Sequence, residues 1–89
     1  MARSARPRPV MVEAFDRKAI GAFIADARAR AGITQRQLEI ASRVSQGKIS
    51  RMERGSSRPV LSEIVDVCAA LGVRVRLEMA PDQDAGPTV

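Results

Sequence analysis

Residues 33–55, ITQRQLEIASRVSQGKISRMERG, contain one helix-starting device twice in close succession. In the first copy Thr34 is placed to cap a helix, Gln37 stands at the third helical position to complete a capping box, and Ile33 can staple onto Leu38. In the second, Ser45 is the cap and Val44 faces Ile49 across the first turn. The first helix ends near Arg43, and the second runs to about Glu53 or Arg54, where Gly55 and the loop Ser56-Ser57 stop it. Two short helices joined by a turn of about three residues form a helix-turn-helix. Few other patterns restrict a short chain so tightly.

The flanks supply what such a unit packs against. Upstream, Ile20, Phe23, Ile24, Ala27 and Ala31 recur at the spacing of one helix face. Asp16 is placed to cap that helix and Gly32 to end it in the left-handed conformation. Downstream, residues 60–71 read as a further helix with Leu61, Ile64, Val67, Cys68 and Leu71 facing inward, Pro59 before its start and Gly72 after its end. The period then changes. Val73, Val75, Leu77 and Met79 alternate with charged residues, which predicts a strand over residues 73–79 with one apolar face. A lone strand leaves both backbone edges unpaired, so its partner is either the N-terminal segment or its own copy in a second subunit.

Composition agrees with a small helical domain. The chain has 89 residues, 45% of them hydrophobic and nearly all aliphatic, with Phe15 and Phe23 the only aromatics. A chain this short buries only about 60–70% of its unfolded surface, so stabilisation by a partner chain is expected. Residues 1–14 carry Arg3, Arg6 and Arg8 among Pro7 and Pro9 and predict a basic, flexible arm; residues 80–89 predict a disordered tail. The domain proper is expected over 15–79.

The formal charge is +5, and it is concentrated. Between Thr34 and Arg58, six basic residues (Arg36, Arg43, Lys48, Arg51, Arg54, Arg58) stand against Glu39 and Glu53, a local excess of +4. Such clustering points to a polyanion. If Ile49 and Met52 anchor the second helix of the pair, helical geometry puts Gln46, Gly47, Ser50, Arg51 and Arg54 on the opposite face, with Lys48 at its flank. That face carries no apolar residue. Gln amides and Arg or Lys cations suit adenine and guanine edges in the major groove of B-DNA, and the backbone at Gly47 allows close approach. The start of the preceding helix at Thr34 and Gln35 offers free N–H groups to a phosphate; Ser45, Arg43, Arg54 and Arg58 flank the same face.

Other chemistries find little material. Cys68 is the only cysteine and the chain has no histidine, so no intramolecular disulfide, metal site or cofactor is expected, and Cys68 reads as a small core residue. No phosphate-binding glycine loop or acid–base pair suggests an enzyme. No signal-like apolar run follows the basic start and nothing approaches a membrane span, so the expected location is the cytoplasm, at the nucleoid, with no membrane partner.

Residues 20–73 resemble the Xre family of helix-turn-helix regulators, which includes the lambdoid phage repressors and the Cro proteins. The matching residues are Ile20-Gly21, Arg28, the run Gly32-Ile33-Thr34-Gln35, Leu38, Val44-Ser45-Gln46, Ile49-Ser50, Glu53, Gly55, Pro59 and Leu71-Gly72-Val73. The resemblance implies a mainly α, lambda-repressor-like bundle of four to five helices that contains the helix-turn-helix. To this the alternating segment adds a short C-terminal β-strand paired across a dimer. The resemblance further implies a homodimer on palindromic double-stranded DNA, most simply as a repressor. Carried over by position, Gln46 and Arg51 fall where the family reads bases and Gly47 at a base-facing position without a side chain. Thr34, Gln35 and Arg54 fall at phosphate positions, and Arg28 with Glu53 at an interhelical ion pair. Glu39 and Arg43 depart from the pattern, where Ala and Gly are common. The terminal strand also resembles HipB-type antitoxins, which implies a kinase-like toxin protein as an alternative partner.

Overall fold

The computed structural model describes residues 16–58 and 60–77. The predicted arm over 1–14, Phe15, Pro59, Met79 and the predicted tail over 80–89 lie outside the described residues. Four helices follow one another among them: α1 (Arg17–Ala31), α2 (Gln35–Ser42), α3 (Gln46–Arg54) and α4 (Leu61–Ala70). α1 packs on α3, and α2 packs on both α3 and α4.

The capping chemistry explains where these helices start. Asp16 accepts the N–H of Ala19 at 2.9 Å. At α2 the capping box is complete: Thr34 Oγ1 accepts the N–H of Gln37 at 3.0 Å, and the N–H of Thr34 donates to Gln37 Oε1 at 2.8 Å. Ser45 Oγ accepts the N–H of Lys48 at 3.2 Å and begins α3. α4 has no such side chain, since its N-cap is Val60; Glu63 in its first turn offsets the exposed N–H dipoles instead.

The core lies where these helices converge. Ile24, Leu38, Val44, Ile49, Met52 and Val67 are buried together, and Ile20, Ile33, Ala70 and Leu71 pack against them. α1 is brought unusually close to α3 at Gly21, where a Cβ would stand 2.1 Å from the carbonyl oxygen of Met52. Cys68 is buried, and burial pushes its thiol pKa up, as for a small apolar core residue. Leu61, expected on the inner face, is instead 50% exposed. The inner stripe of α4 is carried by Val67 and Cys68, with Ile64 and Leu71 half-buried.

The terminal strand is corrected. Val73, Val75 and Leu77 belong to an irregular segment, and no strand occurs among the described residues. The N–H of Val73 closes α4 by donating to the carbonyl of Cys68 at 2.8 Å, across Gly72 at φ 75°. Beyond that bond no strand among the described residues offers an edge, and a strand exists only where a second edge accepts its N–H groups. The alternation survives as sidedness only as far as Arg76: Val73 and Val75 are half-buried and Arg74 and Arg76 exposed, but Leu77 is exposed too.

Candidate nucleic-acid interface

α3 carries two chemistries on two sides. Ile49 and Met52 are buried in the core. Gln46, Gly47, Lys48, Arg51 and Arg54 are exposed, and Ser50 is half-buried between them. The outer face thus holds amide, hydroxyl, ammonium and guanidinium groups and no apolar side chain. Arg51 folds back along it, so that Nη1 stands 3.4 Å from where a Cβ on Gly47 would be. Arg54 Nη1 donates to Ser50 Oγ one turn back, which orients that hydroxyl.

The turn before α3 is tightly specified. The N–H of Val44 donates to the buried Ser42 Oγ at 3.1 Å, and the N–H of Arg43 to the carbonyl of Glu39 at 2.8 Å. Arg43 itself adopts φ 65°, ψ 17°, left-handed backbone that costs a residue with a side chain about 1–2 kcal/mol. Its side chain is exposed on the turn. Arg58, in the loop after α3, is exposed as well.

Behind this face lies a polar network that fixes α3 to α1 and α2. Arg28 Nε donates to Glu53 Oε2 at 2.6 Å and Nη2 to Oε1 at 3.0 Å, while Nη1 donates to the carbonyl of Ile33 at 2.9 Å. Gln35 Nε2 adds a bond to Glu53 Oε1 at 2.9 Å. The Glu53 side chain is 8% exposed and that of Arg28 23%. Burial pushes the Glu53 carboxyl pKa up, but the hydrogen bonds from Arg28 and Gln35 and the charge of Arg28 outweigh it and hold the net value below the ordinary one. For Arg28, the bond to Glu53 raises an already high pKa despite partial burial.

Hydrogen bonds within the fold alter what three of the expected phosphate contacts have to offer. Gln35 spends its side-chain amide on Glu53, leaving its backbone N–H at the start of α2 for an anion. Thr34 spends its hydroxyl on the capping box, and Ser45 likewise caps α3. Arg43, Arg54 and Arg58 bring exposed cations. The contact least legible in the sequence involves Lys48, whose Nζ lies 2.7 Å from Oε2 of Glu63 in the first turn of α4. No helical spacing relates two residues on separate helices across the α3–α4 loop, so only the fold brings them together. Among the described residues, no helix is long and apolar enough to cross a membrane.

The comparisons with known proteins agree with this geometry. Over 71 residues the chain is 34% identical to an uncharacterized HTH-type transcriptional regulator, y4dJ, of Sinorhizobium fredii, covering 80% of this chain and 91% of that one. One crystal structure of the clp gene regulator ClgR from Corynebacterium glutamicum superposes with TM-score 0.64 at 39% identity, covering 80% of this chain and 85% of that one. A second crystal structure of ClgR gives TM-score 0.63 at 40% identity over 76% and 67% of the two chains. Residues 19–80 match the family described as Helix-turn-helix domain, and with four helices among the described residues, the short turn at Arg43 and the apolar-free outer face of α3, the chain belongs to that family.

Proposed function

We propose that this protein is a sequence-specific, double-stranded DNA-binding transcriptional regulator of the Xre type, acting as a dimeric repressor on a palindromic operator. The observation that carries this reading is the outer face of α3, which presents only hydrogen-bonding and cationic groups while its other side is locked into the core. Support also comes from the names borne by similar proteins, an HTH-type transcriptional regulator and a clp gene regulator.

In this reading α3 enters the major groove. Gln46 and Arg51 read base edges, Gly47 lets the helix start approach closely, and Ser50, oriented by Arg54, adds a hydroxyl. The first N–H groups of α2 at Gln35, with Thr34, Arg43, Ser45, Arg54 and Arg58, hold phosphates and set the register. A base contact by Lys48 requires its ammonium to leave Glu63. The two α3 helices of a dimer then meet half-sites about 34 Å apart. Exposed Leu61 and Val65, one turn apart on α4, and exposed Leu77 are apolar surface of the kind a second copy covers. Sedimentation of the full chain beside a chain ending at Gly72 tests the role of residues 73–89 in that dimer.

The antitoxin alternative rested on a strand over 73–79, and residues 73–77 form none within the chain. No other feature among the described residues favours it over a plain regulator. A larger kinase-like protein purifying in fixed proportion with the chain would restore it.

The direct test is Arg51→Ala, measured by fluorescence anisotropy on an operator selected from a randomised duplex library and on a scrambled duplex. A bidentate guanine contact predicts a loss of about 1–3 kcal/mol on the operator, with relaxed preference at one base pair. Equal loss on both duplexes would reduce Arg51 to a phosphate contact.

A further inference from the structure

At the edge of the α3 outer face, a cleft of about 220 Å³ opens between α3 and the start of α4. Its charged lining is Lys48, Arg51, Arg58 and Glu63, and Glu63 is the one carboxylate among the described residues that line it. The Glu63 side chain is 22% exposed and that of Lys48 52%, and their charged atoms are 2.7 Å apart. Lys48 thus stands on the helix that faces the proposed ligand, yet its ammonium is turned to a neighbouring helix.

We propose that Glu63 is a positioning residue that withholds Lys48 from DNA, so that the pair adds nothing to the count of phosphates the protein neutralises. This rests on the DNA-binding reading and refines which residues of that face carry it. Phosphates compete for the ammonium, but moving Lys48 to a phosphate strands the Glu63 carboxylate beside the polyanion. One attraction is gained and one repulsion is created. Keeping the pair closed removes a contact made equally on every sequence, and sequence-independent phosphate contacts are what binds a protein to random DNA. Arg51, with no carboxylate bonded to it among the described residues, is left for the groove.

Salt dependence separates a withheld lysine from a working one, because each phosphate neutralised adds about 0.9 to the slope of log affinity against log salt. The full chain and the variants Glu63→Gln and Lys48→Ala/Glu63→Gln are titrated onto a labelled scrambled duplex across about 50 to 200 mM salt. Both sites are partly exposed, and circular dichroism checks that each variant keeps its helices. Glu63→Gln frees Lys48 and should steepen the slope by about 0.9, an extra loss of about 3- to 4-fold across that range. The double variant removes a pair that contributes nothing net and should match the wild type in slope. A double variant shallower than the wild type by about 0.9 would overturn the proposal, since Lys48 would then already be contacting a phosphate. An unchanged slope in Glu63→Gln would overturn it too. Absence of salt-dependent binding by the wild type would instead refute the DNA-binding reading itself.

Discussion

Replacing Gly21 by Ala tests how closely α1 and α3 are packed, because local and tertiary physics disagree on the sign. In the middle of a helix Ala is favoured over Gly by about 1 kcal/mol, so propensity alone predicts a more stable protein. The structure predicts the reverse. A Cβ at Gly21 would lie 2.1 Å from the carbonyl oxygen of Met52 and 2.8 Å from that of Glu53. Real Cβ atoms do not approach within 3.0 Å, so the helices must part by about 1 Å. The opposing atoms are backbone and cannot rotate aside, and the Met52 carbonyl also accepts the N–H of Gly55 that closes α3. Separation would loosen buried Ile24 and Met52 and stretch the bonds between Arg28 and Glu53. Overpacking a close contact costs about 1–3 kcal/mol or more, and strain on the ion-pair network adds to it, for a net loss of about 2–3 kcal/mol after the propensity gain. For a domain of this size that is a fall of about 10–20 °C in Tm. Urea unfolding followed by far-UV circular dichroism measures it directly, as a lower midpoint at unchanged m. A Gly21→Ala midpoint at or above the wild type would refute the close-packing argument.

Three further perturbations follow from the same geometry. Gly47→Ala places its Cβ 3.4 Å from the mobile end of Arg51 and meets nothing else, so the urea midpoint should rise by the equivalent of up to about 1 kcal/mol; a fall would mean the site is not open. Arg43→Gly relieves left-handed backbone at φ 65° and should stabilise by about 0.5–1 kcal/mol after the greater freedom of glycine in the unfolded chain is counted. The same variant should lower the salt slope of DNA binding by about 0.9 if Arg43 holds a phosphate. Glu53, whose folded pKa is depressed, contributes stability that is present above the ordinary carboxylate pKa of about 4.3 and is lost as pH falls through the folded value. Stability measured against pH should therefore drop on the acid side of that value, and Glu53→Gln should flatten the drop while costing about 3–5 kcal/mol at neutral pH by leaving Arg28 without its partner.

The starts of α1, α2 and α3 were legible because each is set by chemistry within four residues: Asp16 with Ala19, Thr34 with Gln37, Ser45 with Lys48. The two faces of α3 were legible for the same reason, as helical geometry separates Ile49 and Met52 from Gln46, Ser50 and Arg51 without reference to the rest of the chain. Arg28 and Glu53 are 25 residues apart, and no periodicity links them; only the resemblance to a family pattern drew them together. Alternation carried information about which side faces the core only at Val73 to Arg76, since Leu77 is exposed, and pairing depends on an edge elsewhere, which alternation cannot supply. Leu61 shows a related limit. At the first turn of α4 a leucine in phase with Ile64 and Cys68 stays half in solvent, because phase along a helix does not say how far along its length a neighbour covers it. Lys48 with Glu63 and Gln35 with Glu53 were invisible because each joins side chains on different helices.

These hidden pairings change what the charge count means. Counted along the sequence, Thr34 to Arg58 has six cations and two carboxylates, and Glu53 appears to dilute the basic face of the helix that bears it. In the fold Glu53 is turned inward and neutralised by Arg28, which lies outside that window, so its negative charge is removed from the surface. Lys48 undergoes the opposite change, since Glu63, also outside the window, takes up its positive charge. The two pairings leave the sum unaltered and move its location: the potential presented outward comes from Arg36 near the start of α2 and from Arg43, Arg51, Arg54 and Arg58, grouped about the turn, the second half of α3 and the loop after it. A polyanion attracted by the net charge is therefore met where the guanidinium groups are, and guanidinium is the group whose planar fork can bond two acceptors on a guanine edge or a phosphate at once. Composition can announce that a chain of this kind attracts DNA; which cations remain to do so is decided by the carboxylates that the helices bring to them.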